Sequence, residues 1–275
     1  MPGVPDPVYV AARRVLLDAL EAVRDHLAAL VLVGAQAVYL HAGEADLAVA
    51  PYTTDGDLAL DPTRLGAKPL LEDALTAAGF VQERNMVGIW QRSVLVAGTP
   101  TSIAVDLLVP NSLGGGGRRG ARIPPHGQQV ARKVVGLEAT LVDNERGEVT
   151  ALEPADGRRF ELAVAGPAGL LVAKVHKIGE RVEERDRLSD KDALDVYRLL
   201  RSVPTEELIR RFRRLQRADL SRDVARFAVA RLPQLFGSPR APGCLMAVRA
   251  AGALADSDTL AASLVALTED LLRAL

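Results

Sequence analysis

Apolar residues recur at three- and four-residue spacings between 7 and 30 (Val10, Val15, Leu16, Leu20, Val23, Leu27, Leu30). Arg13, Arg14, Asp18, Glu21 and Arg24 fall between them, so the segment predicts an amphipathic helix. Val31-Leu32-Val33 is a short apolar run ended by Gly34, and good helix formers follow as far as His41, which predicts strand, tight turn, helix. Residues 43–54 read as a loop because of Gly43 and Pro51, 55–60 as a strand, and 63–78 as a helix closed by Gly79. Strands are expected at 87–96 and 101–109, then a flexible basic loop from Gly114 to Arg122, then short strands around 134–142, 148–153 and 158–164. After Gly166-Pro167 the spacing turns helical to residue 275, with helix breaks expected at Pro204, Pro233, Pro239 and Pro242. The pattern predicts an α+β chain with a mixed-sheet lobe over 1–166 and a helical C-terminal lobe over 167–275, without an internal repeat.

Composition changes this picture in few places. A chain of 275 residues with 48% hydrophobic content can bury two packed cores, which suits the two lobes. The single cysteine, Cys244, excludes an internal disulfide and a thiolate metal site, points to a reducing compartment, and reads as a core residue in an apolar helical run. Met1–Pro7 lacks a basic n-region followed by an apolar stretch, and the longest uncharged run, Leu27–Gly43, is interrupted by Gly34, Gln36 and His41. A cytoplasmic protein with no membrane partner is expected. The formal net charge of -1 hides an uneven distribution, because residues 171–235 hold 16 basic and 11 acidic side chains and the remainder therefore carries about -6.

Candidate chemistry begins at Thr53-Thr54-Asp55-Gly56-Asp57-Leu58. On a strand, Asp55 and Asp57 point to one face, and two neighbouring carboxylates repel unless a cation lies between them. Hard oxygen ligands of this kind suit Mg²⁺ held together with substrate phosphates; the other reading of Asp-Gly-Asp is a solvated turn. Asp106 lies inside the apolar strand Ile103–Val109, where an acid is rare unless paired or bound to metal. It either completes a three-carboxylate site for phosphoryl transfer or sits at the rim. Gly34 lets the backbone approach a ligand and opens a helix whose free N–H groups favour phosphate.

Gly34-Ala35, Thr53-x-Asp55-x-Asp57-Leu58, Val105-Asp106 and Lys174…Arg181…Lys191-Asp192-x-x-Asp195 together resemble the DNA polymerase beta-type nucleotidyltransferases, in particular the AbiEii and MenT toxin branch, over about residues 25–200. The resemblance implies a nucleotidyltransferase lobe carrying the three carboxylates on a mixed sheet, with a helical C-terminal lobe closing the cleft. It implies transfer of a nucleoside monophosphate from NTP with Mg²⁺ as cofactor, onto an RNA 3′ end, typically tRNA, or onto protein, with a cognate antitoxin as a further partner. By the same resemblance Asp55, Asp57 and Asp106 are catalytic and bind metal, Gly34, Ala35 and Thr53 bind nucleotide, Lys174 and Arg181 bind phosphate, and Lys191 and Asp192 belong to the site. The chain departs from the family in having Ala35 where Gly or Ser is common, and Pro51 where a basic residue often precedes the first aspartate.

Read without the resemblance, Lys174, Lys177 and Arg181 share a helix face that is either a phosphate-binding row or a solvated face paired with Glu180, Glu183 and Glu184. Ser189 with Lys191-Asp192 marks a helix start, and Asp192 there either complements the helix dipole or belongs to the site. Lys191 and Asp195, four apart, could form a surface pair. Arg210, Arg211, Arg213, Arg214 and Arg217, and separately Arg118, Arg119 and Arg122, are two basic clusters fit to meet RNA phosphates or to remain as solvated faces. His26, His41, His126 and His176 lack metal-ligand spacing. Two other classes of function stay open: an inert RNA- or protein-binding module on the same fold, and a phosphohydrolase using the same metals.

Overall fold

The computed structural model describes residues 5–42, 52–83, 85–183 and 190–275. It is an α+β chain with a seven-stranded mixed sheet and ten α-helices among the described residues. Two compact units result: residues 1–36, 51–134 and 144–165 form the first, and residues 37–50, 135–143 and 166–275 the second. A boundary near 166 thus misses two excursions, since 37–50 and 135–143 join the helical unit although they precede it in the chain.

The first unit is built on the sheet. Helix α1 (Pro7–Ala22) starts where the Asp6 carboxylate accepts from the Val8 and Tyr9 N–H groups, with Pro7 at its first position. It buries Val15, Leu16, Leu17 and Leu20 completely, each contributing about 2 kcal/mol of hydrophobic burial. The helix predicted over 7–30 gives way to a 3-10 segment at Arg24–Ala29, anchored by the buried His26 ring, whose Nε2 lies 2.8 Å from the Pro69 carbonyl. Strands β1 (Leu30–Val33), β2 (Asp55–Leu60), β3 (Ile89–Val96), β4 (Thr99–Pro110), β5 (Arg132–Val134), β6 (Asn144–Thr150) and β7 (Arg159–Ala165) run across the sheet in the order β3-β4-β2-β1-β7-β6. Strand β5 pairs in parallel with the last residues of β4, and β2 pairs in parallel with β4 and antiparallel with β1.

Two further predicted elements differ. The helix expected over 63–78 is only α3 (Leu71–Ala77), because Pro69 lacks an N–H and disfavours helical geometry in the residue before it. The strand expected over 134–142 stops at Val134 with β5, and α4 (Glu138–Val142) follows instead, since Gly136 turns at φ +92 and its N–H is taken by the Glu138 carboxylate at 2.8 Å.

The second unit holds α4 with α5 (Pro167–Glu183), α6 (Asp190–Ser202), α7 (Thr205–Arg217), α8 (Arg222–Phe236), α9 (Pro242–Ala251) and α10 (Ser257–Ala274). Helix α2 (Gly34–Ala42) begins in the first unit and continues in the second. Pro204 caps α7 and Pro242 opens α9 as expected, but Pro233 lies inside α8, near its end, and the helix ends one turn later where the Gly237 N–H bonds the Pro233 carbonyl. Asp143, fully buried, organises this unit: its carboxylate accepts from the Gly169 N–H at 2.9 Å and from Arg211 at 2.8 Å. No described helix is long and apolar enough to cross a membrane.

Candidate active site

Strand β2 places its residues on alternate faces. Gly56 faces α1, where an added Cβ would stand 3.1 Å from Leu16, while Asp55 and Asp57 face the other way and stay half-buried. On β4, the register sets Asp106 directly beside Asp57 and Ala104 beside Asp55. Three carboxylates therefore share one face of two adjacent strands, with Asp57 and Asp106 on neighbouring strands about 5 Å apart at the backbone and Asp55 and Asp57 about 7 Å apart along β2. Carboxylates brought this close repel, and a cation beside them offsets the repulsion.

Part of that compensation is a protein side chain. The Arg132 guanidinium on β5 donates to the Asp106 carboxylate. Asp106 is buried and Arg132 only partly so, and the Arg132 Nε is enclosed without a hydrogen-bond partner among the described residues. Among the described residues no group of three or more His, Cys, Asp or Glu is placed to hold a metal ion. The expected three-ligand centre is thus not pre-assembled: Asp55 and Asp57 supply hard oxygen donors, and the third carboxylate is engaged by arginine. That donor chemistry fits Mg²⁺, which is usually held by one or two carboxylates and completes its shell with water and phosphate oxygens.

Gly34 follows β1 at φ +69, and a Cβ built on it would lie 1.9 Å from Asp57 Oδ2. The backbone of the turn is packed against the carboxylate with no room for a side chain, and Ala35 follows it into α2, both half-buried. Thr53, buried before β2, donates from Oγ1 to Asp55 Oδ1 at 2.6 Å, so its observed contact is with the carboxylate expected to bind metal. Pro51 lies outside the described residues.

Behind Asp55 runs a buried polar chain that the periodicity did not reveal. Gln36 Nε2 donates to the Asp55 carbonyl at 2.8 Å, and Arg13 Nε donates to Gln36 Oε1 at 2.6 Å. Arg13 also donates to the Thr150 carbonyl at 2.9 Å and to the Tyr9 hydroxyl at 3.3 Å, while burial pulls its guanidinium below the ordinary arginine range against the opposing effect of Tyr9. The one signal in the sequence is that Arg13 and Gln36 are polar residues inside otherwise apolar stretches. Arg132 sits in the mixed run Val130-Ala-Arg-Lys-Val134 and gives no comparable signal. Beside it, Lys133 donates to the Gly115 carbonyl at 3.0 Å and ties down the glycine loop, leaving Arg118, Arg119 and Arg122 exposed.

The remaining expected site residues lie in the second unit and form their own cluster. Lys174, on α5, is buried and donates to Asp192 and Asp195 on α6 at 2.7 Å each. Burial works against its charge, yet the two carboxylates outweigh it and hold the ammonium above the ordinary lysine range. Asp192 is likewise penalised by burial, and Lys174, then Lys177 and Arg181, pull its carboxyl below the ordinary range. Lys177 reaches Asp192 at 3.3 Å, Arg181 contacts it too, and Arg198 holds Asp195 at 2.9 Å while lying over the Tyr39 ring. Lys174, expected by the resemblance to bind phosphate, is thus a buried cation held between two carboxylates. Among the described residues the α5 cations meet Asp192, and Asp195 is buried. Ser189 and Glu184 lie outside the described residues. Four cations against two carboxylates leave the cluster with a formal excess of two positive charges.

The described histidine contacts are structural: His126 accepts from the Leu71 N–H, its Nε2 lies 2.9 Å from the Gly66 carbonyl, and its ring meets His26 edge to face. Cys244 is buried in α9, and burial pushes its thiol up to about 11. Compared with protein-family models, curated proteins and solved structures, the chain matches none.

Proposed function

We propose that this chain is a Mg²⁺-dependent nucleotidyltransferase that moves a nucleoside monophosphate from NTP to an acceptor hydroxyl, with an RNA 3′ end as the acceptor class. The observation that carries the reading is the juxtaposition of Asp55, Asp57 and Asp106 on one sheet face with Gly34 packed on Asp57. Asp55 and Asp57 would hold the metal, whose chemistry is to neutralise phosphate charge and polarise the α-phosphate for in-line displacement of pyrophosphate. Asp106 serves as third ligand or as the base that takes the acceptor proton. The Gly34–Ala35 turn offers backbone N–H groups to phosphate, and Arg132 with the Arg118–Arg122 loop supplies cations in the same unit. Thr53 and the Gln36–Arg13 chain fix Asp55 in place. Catalysis then comes from positioning and charge compensation, without a covalent intermediate. A role as the toxin of a toxin–antitoxin pair belongs to the resemblance and is proposed with it.

A second reading, an inert binding module on this fold, draws on one observation: Asp106 is already neutralised by Arg132. Thermal unfolding with Mg²⁺ plus each NTP separates the two. The transferase reading expects a rise in Tm with at least one NTP that requires Mg²⁺ and vanishes in Asp57→Ala, whereas no nucleotide-dependent rise supports the inert module.

A further inference from the structure

Helix α7 divides its side chains sharply. Leu208, Phe212 and Leu215 form the buried stripe, and Arg211 on the flank is tied to Asp143 and Glu207. The opposite face carries Arg210, Arg213, Arg214 and Arg217, all exposed and spaced i, i+3, i+4 and i+7. Among the described residues, Arg210, Arg214 and Arg217 have no ion pair or side-chain hydrogen bond, and Arg213 has only the Ala274 carbonyl, at 3.0 Å. Elsewhere Arg14, Arg92, Arg158, Arg181, Arg198 and Arg249 each meet a carboxylate. Glu206, in the first turn, is the one acid on this face, so four positive charges stand against one negative.

Like charges at these spacings repel within the helix, and the dipole rewards only those in the last turn. A solvated helix face without a partner gains nothing from stacking four of them. We infer that the Arg210–Arg217 face of α7 is a docking surface for the phosphodiester backbone of a nucleic-acid strand. The stripe is about 10 Å long, the axial length of about three phosphates of one strand. Arginine rather than lysine fills all four positions, and its planar fork matches phosphate oxygens two at a time. No large exposed apolar side chain lies on α7, which argues against a membrane surface, and no aromatic interleaves the arginines, so backbone rather than base recognition is assigned. The assignment stands apart from the transfer reaction, because binding needs neither NTP nor Asp57.

The test is fluorescence anisotropy of the full chain with a labelled single-stranded RNA of mixed sequence between 50 and 200 mM salt, without nucleotide. Three proteins are compared: wild type, the triple variant Arg210→Gln, Arg214→Gln, Arg217→Gln, and a charge-matched control, Arg24→Gln, Arg159→Gln, Arg240→Gln. Wild type and control are expected to bind with the same steep salt dependence. The stripe variant, with unchanged circular dichroism and Tm, should bind more weakly and lose roughly twentyfold less affinity across that salt range, as three phosphate contacts require. Equal binding by the stripe variant and the control, or no RNA binding by wild type, overturns the assignment. So does equal or tighter stripe-dependent binding to phosphatidylserine vesicles or polyglutamate, which would make the face a membrane or acidic-protein surface. Asp57→Ala is expected to bind RNA as wild type does, so a failed transferase reading leaves this result standing.

Discussion

Gly34 is the residue on which the candidate site turns. At φ +69, with Asp57 Oδ2 1.9 Å from where a Cβ would be, alanine meets both an unfavourable backbone region and a collision. Gly34→Ala is expected to lower stability by about 2 kcal/mol and, by displacing Asp57, to cut transfer roughly a hundredfold, read by calorimetry and label incorporation. Wild-type activity in that variant would show that the turn does not set the Asp57 position. Gln36 is a second residue with a defined consequence. Gln36→Leu strips the acceptor from Arg13 and the donor from the Asp55 carbonyl inside a buried region, and a loss of about 3 kcal/mol in denaturant unfolding is expected. At this scale the sequence is informative about Asp55, Asp57 and Gly34, since strand alternation and a glycine break are local. It is silent about Arg132, because its partner Asp106 lies 26 positions away and only parallel pairing of β5 with β4 joins them.

At the scale of elements, the α5–α6 ion cluster governs the helical unit. Lys174→Met leaves two buried aspartates short of a partner, and a loss of about 3 kcal/mol is expected in thermal or denaturant unfolding. Asp192 adds a pH dependence with a fixed sign. Its carboxyl titrates lower in the folded chain than in the unfolded one, so its contribution is fully present above about pH 4 and is lost as pH falls toward the depressed folded value. Acid unfolding below pH 4 should therefore be less steep in Asp192→Asn than in wild type, and equal slopes would assign the acid limb to other groups. The α5 cations illustrate why spacing alone misleads. Helical periodicity correctly puts Lys174, Lys177 and Arg181 on one face, but what that face meets depends on α6, beyond residues no local pattern connects. Strand β2 was legible because a period-two run between turn residues has one solution, whereas the five residues of α4 were too few for a period, and Glu138 bonding to Gly136 decided them.

For the whole molecule, the division into a sheet unit and a helical unit follows from the change of periodicity at Gly166-Pro167, while the transfer of 37–50 and 135–143 to the helical unit follows only from packing. The charge asymmetry of the sequence also acquires structure: the basic excess between 171 and 235 divides into the α5–α6 cluster, where cations meet aspartates, and the α7 stripe, where most meet none. The reaction on the carboxylate face is open to one direct measurement. Purified protein is incubated with each α-labelled NTP, Mg²⁺ and RNA, beside an Asp57→Ala variant of matched fold, following label on RNA together with pyrophosphate released. Labelled RNA with at least one NTP and one pyrophosphate per label are expected, and neither in the variant. Inorganic phosphate without labelled RNA, or label undiminished in Asp57→Ala, would contradict it.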